Sequence, residues 1–246
     1  MNEILAAISI GSTAGVLGLG FFIGLKHATE GDHLAAVATI VSDRKSVWSS
    51  ALVGGLWGLG HTISLVIAGV LVLLLNFEIS ERTERILEFG VGFMLLFLGL
   101  NVVRKLVKGG KVHIHKHEHG QHEHVHPHIH LPERGEEPET HHGLTFSPRS
   151  VLIGMVHGLA GSAALMLIVI PTIESKALGL LYIVVFGIGS IGGMMLMSFL
   201  VGLPFHFTAT RFNRMNALLQ GTAGIISIIL GLAIIYEKGF TEGLFA

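Results

Sequence analysis

Six long apolar stretches are the feature that most limits what this chain can fold into. A helix needs about 20 apolar residues to cross the hydrocarbon core of a bilayer. Only 13% of the 246 residues are charged, whereas ordinary soluble domains carry about 25%. The chain is therefore predicted to be an all-α integral membrane protein with about six transmembrane helices. The six stretches are residues 13–41, 49–75, 86–107, 150–171, 177–203 and 216–236.

The ends of these stretches carry further expectations. Residues 4–12 are also apolar and form a possible seventh crossing. The start of the chain lacks the basic region and cleavage site of a signal peptide, so we expect residues 1–26 in the mature protein. Pro148, Pro171 and Pro204 are expected at helix boundaries, where proline is tolerated.

Composition excludes several kinds of function. The formal net charge is −1, which gives no electrostatic footprint for nucleic acid. The chain has no cysteine, so disulfides, thiolate metal sites and dithiol redox relays are all excluded. The lipid bilayer is the partner that the composition indicates, and the oligomeric state is left open.

The two halves of the chain share three short patterns in the same order, offset by about 130 residues. This order predicts two three-helix repeats, and the odd number of helices in each makes the repeats inverted in the membrane. The predicted division is a first repeat (1–107), a histidine-rich loop (108–147) and a second repeat (148–246). The matches are Gly24-Leu25-Lys26-His27 with Gly154-Met155-Val156-His157, Gly58-Leu59-Gly60-His61 with Gly187-Ile188-Gly189-Ser190, and Glu88, Gly92 and Gly99 with Gln220, Gly224 and Gly231.

Basic residues predict the orientation of the chain, because cytoplasmic loops are enriched in Lys and Arg. With six crossings, most basic residues fall on the side that also holds the 108–147 loop. That loop is therefore expected to be cytoplasmic, in a plasma-membrane protein. The basic residues on this side are Arg44, Lys45, Arg104, Lys105, Lys108, Lys111, Lys116, Arg134, Arg149, Arg211 and Arg214, against Arg82, Arg85, Lys176 and Lys238 on the other.

The loop has no hydrophobic period, so we expect it to be disordered. It contains most of the sixteen histidines of the chain, largely in alternation with other residues. This pattern indicates metal binding, with pH sensing or simple solvation as the alternatives. The predicted loop ligands are His113, His115, His117, His119, His122, His124, His126, His128 and His130.

A dense polar cluster interrupts the first apolar stretch. Ionisable groups in a transmembrane helix are costly and usually mark a transport pathway or a ligand site. On an ideal helix His27, Glu30 and His33 fall on one stripe, whereas Asp32 points about 140° away from His27. Either the helix unwinds near Gly31, or Asp32 supports the ligands or faces a neighbouring helix. The alternative is a helix end at the water interface.

Two further histidines are candidate metal ligands. His61 lies in the middle of an apolar stretch among glycines, which allow close helix approach. His157 is the counterpart of His27 in the second half, where Ser162 and Ala163 replace Asp32 and His33. We expect His61 to complete the metal site begun by the first helix and His157 to support or gate it.

Three motifs resemble the nickel/cobalt transporter superfamily. The string His-x4-Asp-His, formed by His27, Asp32 and His33, is similar to the signature of that family, and the following Leu-Ala-Ala-Val also fits. Leu59-Gly60-His61-Thr62 resembles its second motif. The 154–163 stretch is similar to the shorter urease-accessory-type permeases of the same superfamily. The resemblance implies a secondary metal permease, and the histidine-rich loop is similar to the efflux branch.

The favoured function is therefore a permease for a divalent transition metal, nickel or cobalt, with import as the expected direction. Efflux driven by proton antiport is the alternative. The transported ion is the only metal expected, without a prosthetic group. A membrane metalloenzyme is disfavoured, because the His-Glu-x-x-His motif is absent from the chain. A metal sensor or storage scaffold is the third class.

Overall fold

The computed structural model describes residues 13–44, 46–77, 79–108, 112–119, 122–129, 148–169 and 175–245. Seven α-helices and one β-hairpin make up this part of the chain. A short π-helical turn, Glu237–Thr241, extends the last helix. In chain order the elements are α1 (Thr13–His27), α2 (Gly31–Val41), α3 (Val47–Leu75), α4 (Glu81–Val107), β1 (Val112–His119), β2 (His122–Ile129), α5 (Pro148–Val169), α6 (Lys176–Arg211) and α7 (Asn213–Tyr236).

Within the described residues, four helices are long and apolar enough to cross a membrane. They are α3, α4, α6 and α7 with its extension, and their mean hydropathies are 2.1 to 2.2. Large apolar side chains such as Phe97 and Ile229 lie exposed on them, as expected of surfaces that contact lipid. The prediction of a helical membrane protein is confirmed. The possible extra crossing at residues 4–12 lies outside the described residues.

The first predicted span is two helices rather than one. The structure replaces a single 13–41 helix with α1 and α2, separated by a turn at residues 28–30. In this turn the Thr29 N–H donates to the Lys26 carbonyl at 2.8 Å, and the Glu30 N–H donates to the His27 carbonyl at 3.1 Å. The unwinding that we considered near Gly31 is therefore present, immediately before α2 begins.

Pro204 does not end a helix, so the expected boundary there is wrong. It lies inside α6, which continues to Arg211. A proline lacks the N–H of an intrahelical hydrogen bond, yet neighbouring polar groups in membrane helices can compensate for the loss. The Thr208 hydroxyl donates to the Pro204 carbonyl at 2.7 Å, a contact that joins the turn after the proline but does not replace its missing N–H. Pro148, as expected, begins α5, and Pro171 lies outside the described residues.

The helices pack mainly between the two halves of the chain. α1 packs on α6, α5 packs on α3, α3 packs on α6, and α4 packs on α7. Side-chain hydroxyls join some of these pairs across the interface. Thr62 donates to the Gly187 carbonyl at 3.1 Å, and Ser64 donates to the Met155 carbonyl at 2.8 Å. The α3–α6 and α3–α5 interfaces therefore each include a hydrogen bond between the helices.

Glycines set the distance between these helices. A Cβ built on Gly24 would collide with the Phe186 carbonyl oxygen, and one built on Gly154 would collide with that of Trp57. Small residues at helix contacts permit such close backbone approach. Two further glycines make the same kind of contact, namely Gly60 with the Val151 carbonyl and Gly189 with the Phe21 carbonyl.

Polar contacts at the helix ends define two ends of the bundle. At the basic end, which carries Arg44 and Arg104, the Lys105 ammonium pairs with Asp43. The Gln220 amide donates there to the Ser42 carbonyl at 3.0 Å. At the far end, Lys176 bonds Asn76 at 3.0 Å, and Lys238 lies 3.0 Å from Glu88. α3 begins at the basic end, and α6 begins at the far end.

The histidine-rich loop contains regular backbone pairing. β1 and β2 form an antiparallel ladder with His113 opposite His128 and His117 opposite His124. Alternation of histidine with other residues has the two-residue period of a strand. β1 and β2 thus lie within the segment for which the sequence predicts disorder, and that prediction stays a prediction for the loop as a whole. The remainder of the loop lies outside the described residues.

Candidate metal site

The turn between α1 and α2 places several polar side chains inside the bundle. His27 is the last residue of α1, and His33 lies in the first turn of α2. Both are buried, with 7% and 1% of their surface exposed. Their ring centroids are 4.4 Å apart. A continuous helix would separate these residues along its axis, whereas the turn brings their rings into contact.

Glu30 holds one of these rings. Its Oε1 lies 2.8 Å from Nδ1 of His27, and this carboxylate is the more exposed partner. A hydrogen bond at Nδ1 places a proton there and leaves Nε2 as the free lone pair. Nε2 of His27 is buried, with no hydrogen-bond partner among the described residues. Glu30 therefore orients His27 so that Nε2 points into the cluster.

Asp32 connects the two halves of the chain. One of its oxygens lies 2.9 Å from Nδ1 of His33 and also accepts the His33 backbone N–H at 2.7 Å. The other oxygen lies 3.0 Å from Nε2 of His157 on α5. A carboxylate that bonds a ligating imidazole fixes its orientation and raises its basicity. Asp32 thus orients both imidazoles, and Nε2 of His33 is left without a partner in the described part of the chain.

His61 completes the group from α3. It is fully buried, at 0% exposure, and neither ring nitrogen has a hydrogen-bond partner among the described residues. Its ring centroid lies 5.2 Å from that of His27 and 5.5 Å from that of His33. Leaving two buried ring nitrogens unpaired costs free energy unless a ligand binds there. His61 is therefore positioned to share a ligand with the α1–α2 histidines.

Two overlapping sets of groups could hold a metal ion. In one set, His27, His33 and His61 each offer a nitrogen, and in the other Asp32, His33 and His157 offer two nitrogens and an oxygen. Within each set the ligand atoms lie within 4.8 Å of one another. Neutral imidazole suits nickel, cobalt, copper and zinc, and a carboxylate adds negative charge. We call these five residues the histidine cluster.

The structure brings together every intramembrane residue that the sequence marked as a metal ligand. Of the six, Glu30 lies at the edge and bonds His27, and the other five form the histidine cluster. The loop histidines occur on β1 and β2 or outside the described residues. Two aromatic residues that contact the cluster, Trp57 and Phe186, were missed by the sequence reasoning, although they occupy matching positions before His61 and Ser190.

The fold and this site define a helical membrane protein with a buried histidine–carboxylate cluster at the turn between its helices α1 and α2. The chain belongs to the family of the urease accessory protein UreH. It is 41% identical to UreH of Bacillus sp. (strain TB-90) over 230 residues, which cover 94% of each protein. The expected resemblance to urease-accessory-type proteins is thus confirmed.

More distant relatives share parts of the sequence. Chloroplast protein FOR GROWTH AND FERTILITY 2 of Arabidopsis thaliana is 29% identical over 92% of this chain, which spans 57% of that protein. The high-affinity nickel transport protein of Cupriavidus necator is 33% identical over 73 residues, 29% of this chain. No family model matches the sequence. No solved structure matches it either.

Proposed function

We propose that this protein is a secondary permease that carries nickel across the membrane. The convergence of His27, His33 and His61 carries this proposal, because each offers a nitrogen to one buried point. Ionisable and ligating groups inside a membrane bundle usually lie on a transport pathway. The cargo would be bound as substrate by these three imidazoles, with Asp32 and His157 beside them.

Nickel is the favoured ion, with cobalt as the second candidate. The names of two relatives, a urease accessory protein and a high-affinity nickel transport protein, support nickel. The ligands themselves suit both ions, since imidazole nitrogen and carboxylate oxygen bind either one. The chain has no thiolate to favour softer ions.

Transport is a better fit to the cluster than catalysis. A hydrolytic metal site needs a free general base beside the metal-bound water. Both nearby carboxylates are instead bonded to imidazoles, Glu30 to His27 and Asp32 to His33 and His157. These carboxylates therefore orient the imidazoles and are not free to act as a general base.

The two halves form an inverted repeat in our proposal. The glycine contacts support it, because they occur as matched pairs under the repeat correspondence. Gly24 meets the Phe186 carbonyl, and its counterpart Gly154 meets that of Trp57, the counterpart of Phe186. On α4 and α7, Gly92 meets Gly231, and Gly99 meets Gly224. A two-fold axis in the membrane plane would generate such exchanges, with the site near that axis.

Import is the favoured direction. One charge moving across 100 mV changes its free energy by about 2.3 kcal/mol, so a divalent cation gains about 4.6 kcal/mol on entering a negative interior. This supports a concentration ratio of roughly 10³ without ATP, at about 1.4 kcal/mol per tenfold. Efflux, the alternative direction, would oppose the same free energy and would need proton antiport.

The basic end is cytoplasmic in this proposal, and the protein lies in the plasma membrane. Arg44, Arg104 and Lys105 lie at that end, and cytoplasmic loops are enriched in such residues. The loop that holds β1 and β2 begins after α4, also at the basic end. We propose that its histidines bind ions that leave the pathway and retain them inside.

Uptake by proteoliposomes of known orientation tests the function. Purified full-length protein is reconstituted, and ⁶³Ni²⁺ entry is followed with an inside-negative potential, without a potential, and with a pH gradient. We expect entry that saturates, depends on potential and is lost in His33→Ala. Entry that needs an opposing proton gradient would identify efflux. Binding of Ni²⁺ without any flux would identify a sensor or a storage protein instead.

A further inference from the structure

Two buried aromatic residues occupy corresponding positions in the two halves. Trp57 lies one helical turn before His61 on α3, and Phe186 lies one turn before Ser190 on α6. Because His61 and Ser190 correspond in the repeat, the two aromatic residues correspond as well. Both are almost completely buried, at 1% and 3% exposure.

Each aromatic ring contacts a different part of the histidine cluster. The Phe186 ring centroid lies 5.6 Å from that of His27. The Trp57 centroid lies 5.3 Å from that of His33 and 5.6 Å from that of His157. The ring contacts therefore run from Phe186 to His27, from His27 to His33, from His33 to His157, and from these last two to Trp57.

The directions of α3 and α6 place the two rings on opposite sides of the cluster. Gly54 on α3 approaches Ser198 on α6, whereas Thr62 farther along α3 bonds Gly187, which precedes Ser198. The two helices are thus antiparallel. Because α3 begins at the basic end, Trp57 lies on that side of His61. Phe186 lies on the far side, since α6 begins at the far end.

Each ring also belongs to its own apolar cluster. Phe186 packs with Leu65, Tyr182 and Ile183, whereas Trp57 packs in a separate cluster with Val37 and Val41. On the basic side of Trp57, the space lined by Val37, Ile40, Val41, Val53 and Ser198 is too narrow for a water molecule. An apolar constriction without room for water blocks ion passage.

We propose that Phe186 and Trp57 are the two gates of the pathway, one on each side of the histidine cluster. This proposal rests on the permease function proposed above. Movement of Phe186 away from His27 opens the site to the far end, and movement of Trp57 away from His33 and His157 opens it to the basic end. Alternating access then requires that one ring closes before the other opens. In the present structure both rings are closed against the cluster, and the four histidines are buried, whereas Asp32 is 29% exposed at its edge.

The natural absence of cysteine makes this proposal directly testable. A single reporter thiol at the cluster, introduced as His61→Cys in the full-length chain, is reconstituted in proteoliposomes of known orientation. A membrane-impermeant thiosulfonate reagent is then added from one side at a time. With both gates intact we expect slow labelling from either side.

Removing one gate should speed labelling from one side alone. Trp57→Ala should raise the labelling rate from the basic end, and Phe186→Ala should raise it from the far end. A change of about tenfold corresponds to about 1.4 kcal/mol of opening free energy. Trp48→Ala and Phe207→Ala are matched controls on α3 and α6, because both side chains are largely exposed, and neither should change labelling. If the alanine variants fail to insert, leucine at each gate is the milder replacement.

The outcomes separate the gates from the transport function. Labelling that increases from the same side in both gate variants, or in neither, would overturn the gate assignment. If labelling is side-specific but the wild-type protein transports no Ni²⁺, the two barriers are supported and the permease function is rejected. If the wild-type protein transports Ni²⁺ but labelling of the gate variants is not side-specific, the permease function is supported and the gate assignment is rejected.

Discussion

The α1–α2 segment and α5 occupy corresponding positions in the packing but differ in backbone and in chemistry. α1 packs against α6, and α5 packs against α3, through glycine contacts of the same kind. Yet the first segment breaks at residues 28–30, whereas α5 runs without interruption as Pro148–Val169. The same architectural position therefore supports either a broken or a continuous helix.

The difference follows from the polar residues that each segment carries. A break inside a membrane leaves backbone groups without intrahelical partners, which is tolerated where the chain lines a cavity or a site. The first segment supplies Thr29, whose hydroxyl bonds the Lys26 carbonyl at 2.7 Å, and the carboxylates that hold the histidines. From the second segment, among the side chains that the structure describes, His157 joins the cluster. Carboxylates in one half make the site asymmetric, although the glycine contacts of α1 and α5 are alike.

The largest expected effect comes from removing the charged half of the site. We expect His27→Ala, Asp32→Asn and His33→Ala each to abolish Ni²⁺ flux, because each removes a ligand or the carboxylate that orients two of them. Yield and the thermal transition of purified protein should remain near wild type. Ser162→Ala, at the position matching Asp32, and His206→Ala, near the end of α6, are the controls. Normal flux in two of the three variants would exclude a site at the α1–α2 turn.

A smaller effect is expected from Glu30, which supports a ligand without being buried. Glu30→Gln weakens the acceptor that holds Nδ1 of His27. Outer-shell partners of this kind typically contribute 10–100-fold to metal affinity, so we expect the dissociation constant for Ni²⁺ to rise by about that factor. Isothermal titration of the purified protein measures it, with Glu84→Gln on α4 as the control. Unchanged affinity would show that the charge of Glu30 does not support metal binding by His27.

Alanine at either of the matched glycines, Gly24 and Gly154, should lower the stability of the protein to a similar extent. Gly24→Ala and Gly154→Ala each force a Cβ against a backbone carbonyl, and we expect each to destabilise the fold by about 1–3 kcal/mol. Gly18→Ala and Gly90→Ala are the controls, because a Cβ at either position meets nothing within 4 Å in the structure. Thermal unfolding in detergent compares the four variants. A large loss at one matched position and none at the other would contradict the proposed repeat.

The smallest effect on flux is expected from the histidine-rich loop. Deleting residues 112–142 removes both strands of the hairpin but none of the intramembrane cluster. We expect the initial rate of Ni²⁺ entry to persist, while metal retained by the protein after washing falls. A well-folded deletion variant that shows no flux at any Ni²⁺ concentration would place the loop on the pathway.

The helical membrane character of the protein could be predicted from the length of its apolar stretches and the spacing of its polar residues. The cluster positions were found because ionisable residues in an apolar segment are conspicuous. The partner of Asp32 was not predictable, because its bond to His157 depends on how α5 packs against the first segment. Ideal-helix geometry pointed Asp32 away from His27, and only the turn at residues 28–30 resolves that conflict.

Predictions from the local sequence pattern were wrong or incomplete at several positions. Pro204 was expected to end a helix, but α6 continues through it to Arg211. The alternating histidines also had the period of a strand, although the missing hydrophobic pattern favoured disorder. Trp57 and Phe186 could have been found by comparing the halves, since they correspond once the repeat is aligned. Aromatic residues in a transmembrane stretch are otherwise too ordinary to single out.

The break between α1 and α2 also has an electrostatic consequence that does not depend on the histidines. Aligned peptide dipoles give a helix partial negative charge at its carboxyl end and partial positive charge at its amino end. The carboxyl end of α1 is at His27, so its partial negative charge lies beside the cluster. The amino end of α2 has Asp32 in its first turn, which offsets the opposite partial charge.

The carboxyl end of α1 and the Asp32 carboxylate therefore favour a cation over an anion before any ligand bond forms. Each such interaction contributes typically about 0.3–1 kcal/mol at an exposed surface and up to about 2 kcal/mol when partly buried. α5 has no corresponding internal ends, because it is continuous between Pro148 and Val169. The preference for positive charge thus comes from the carboxyl end of α1 together with the Asp32 carboxylate, both in the first half. It would persist in a variant whose imidazoles had all been replaced.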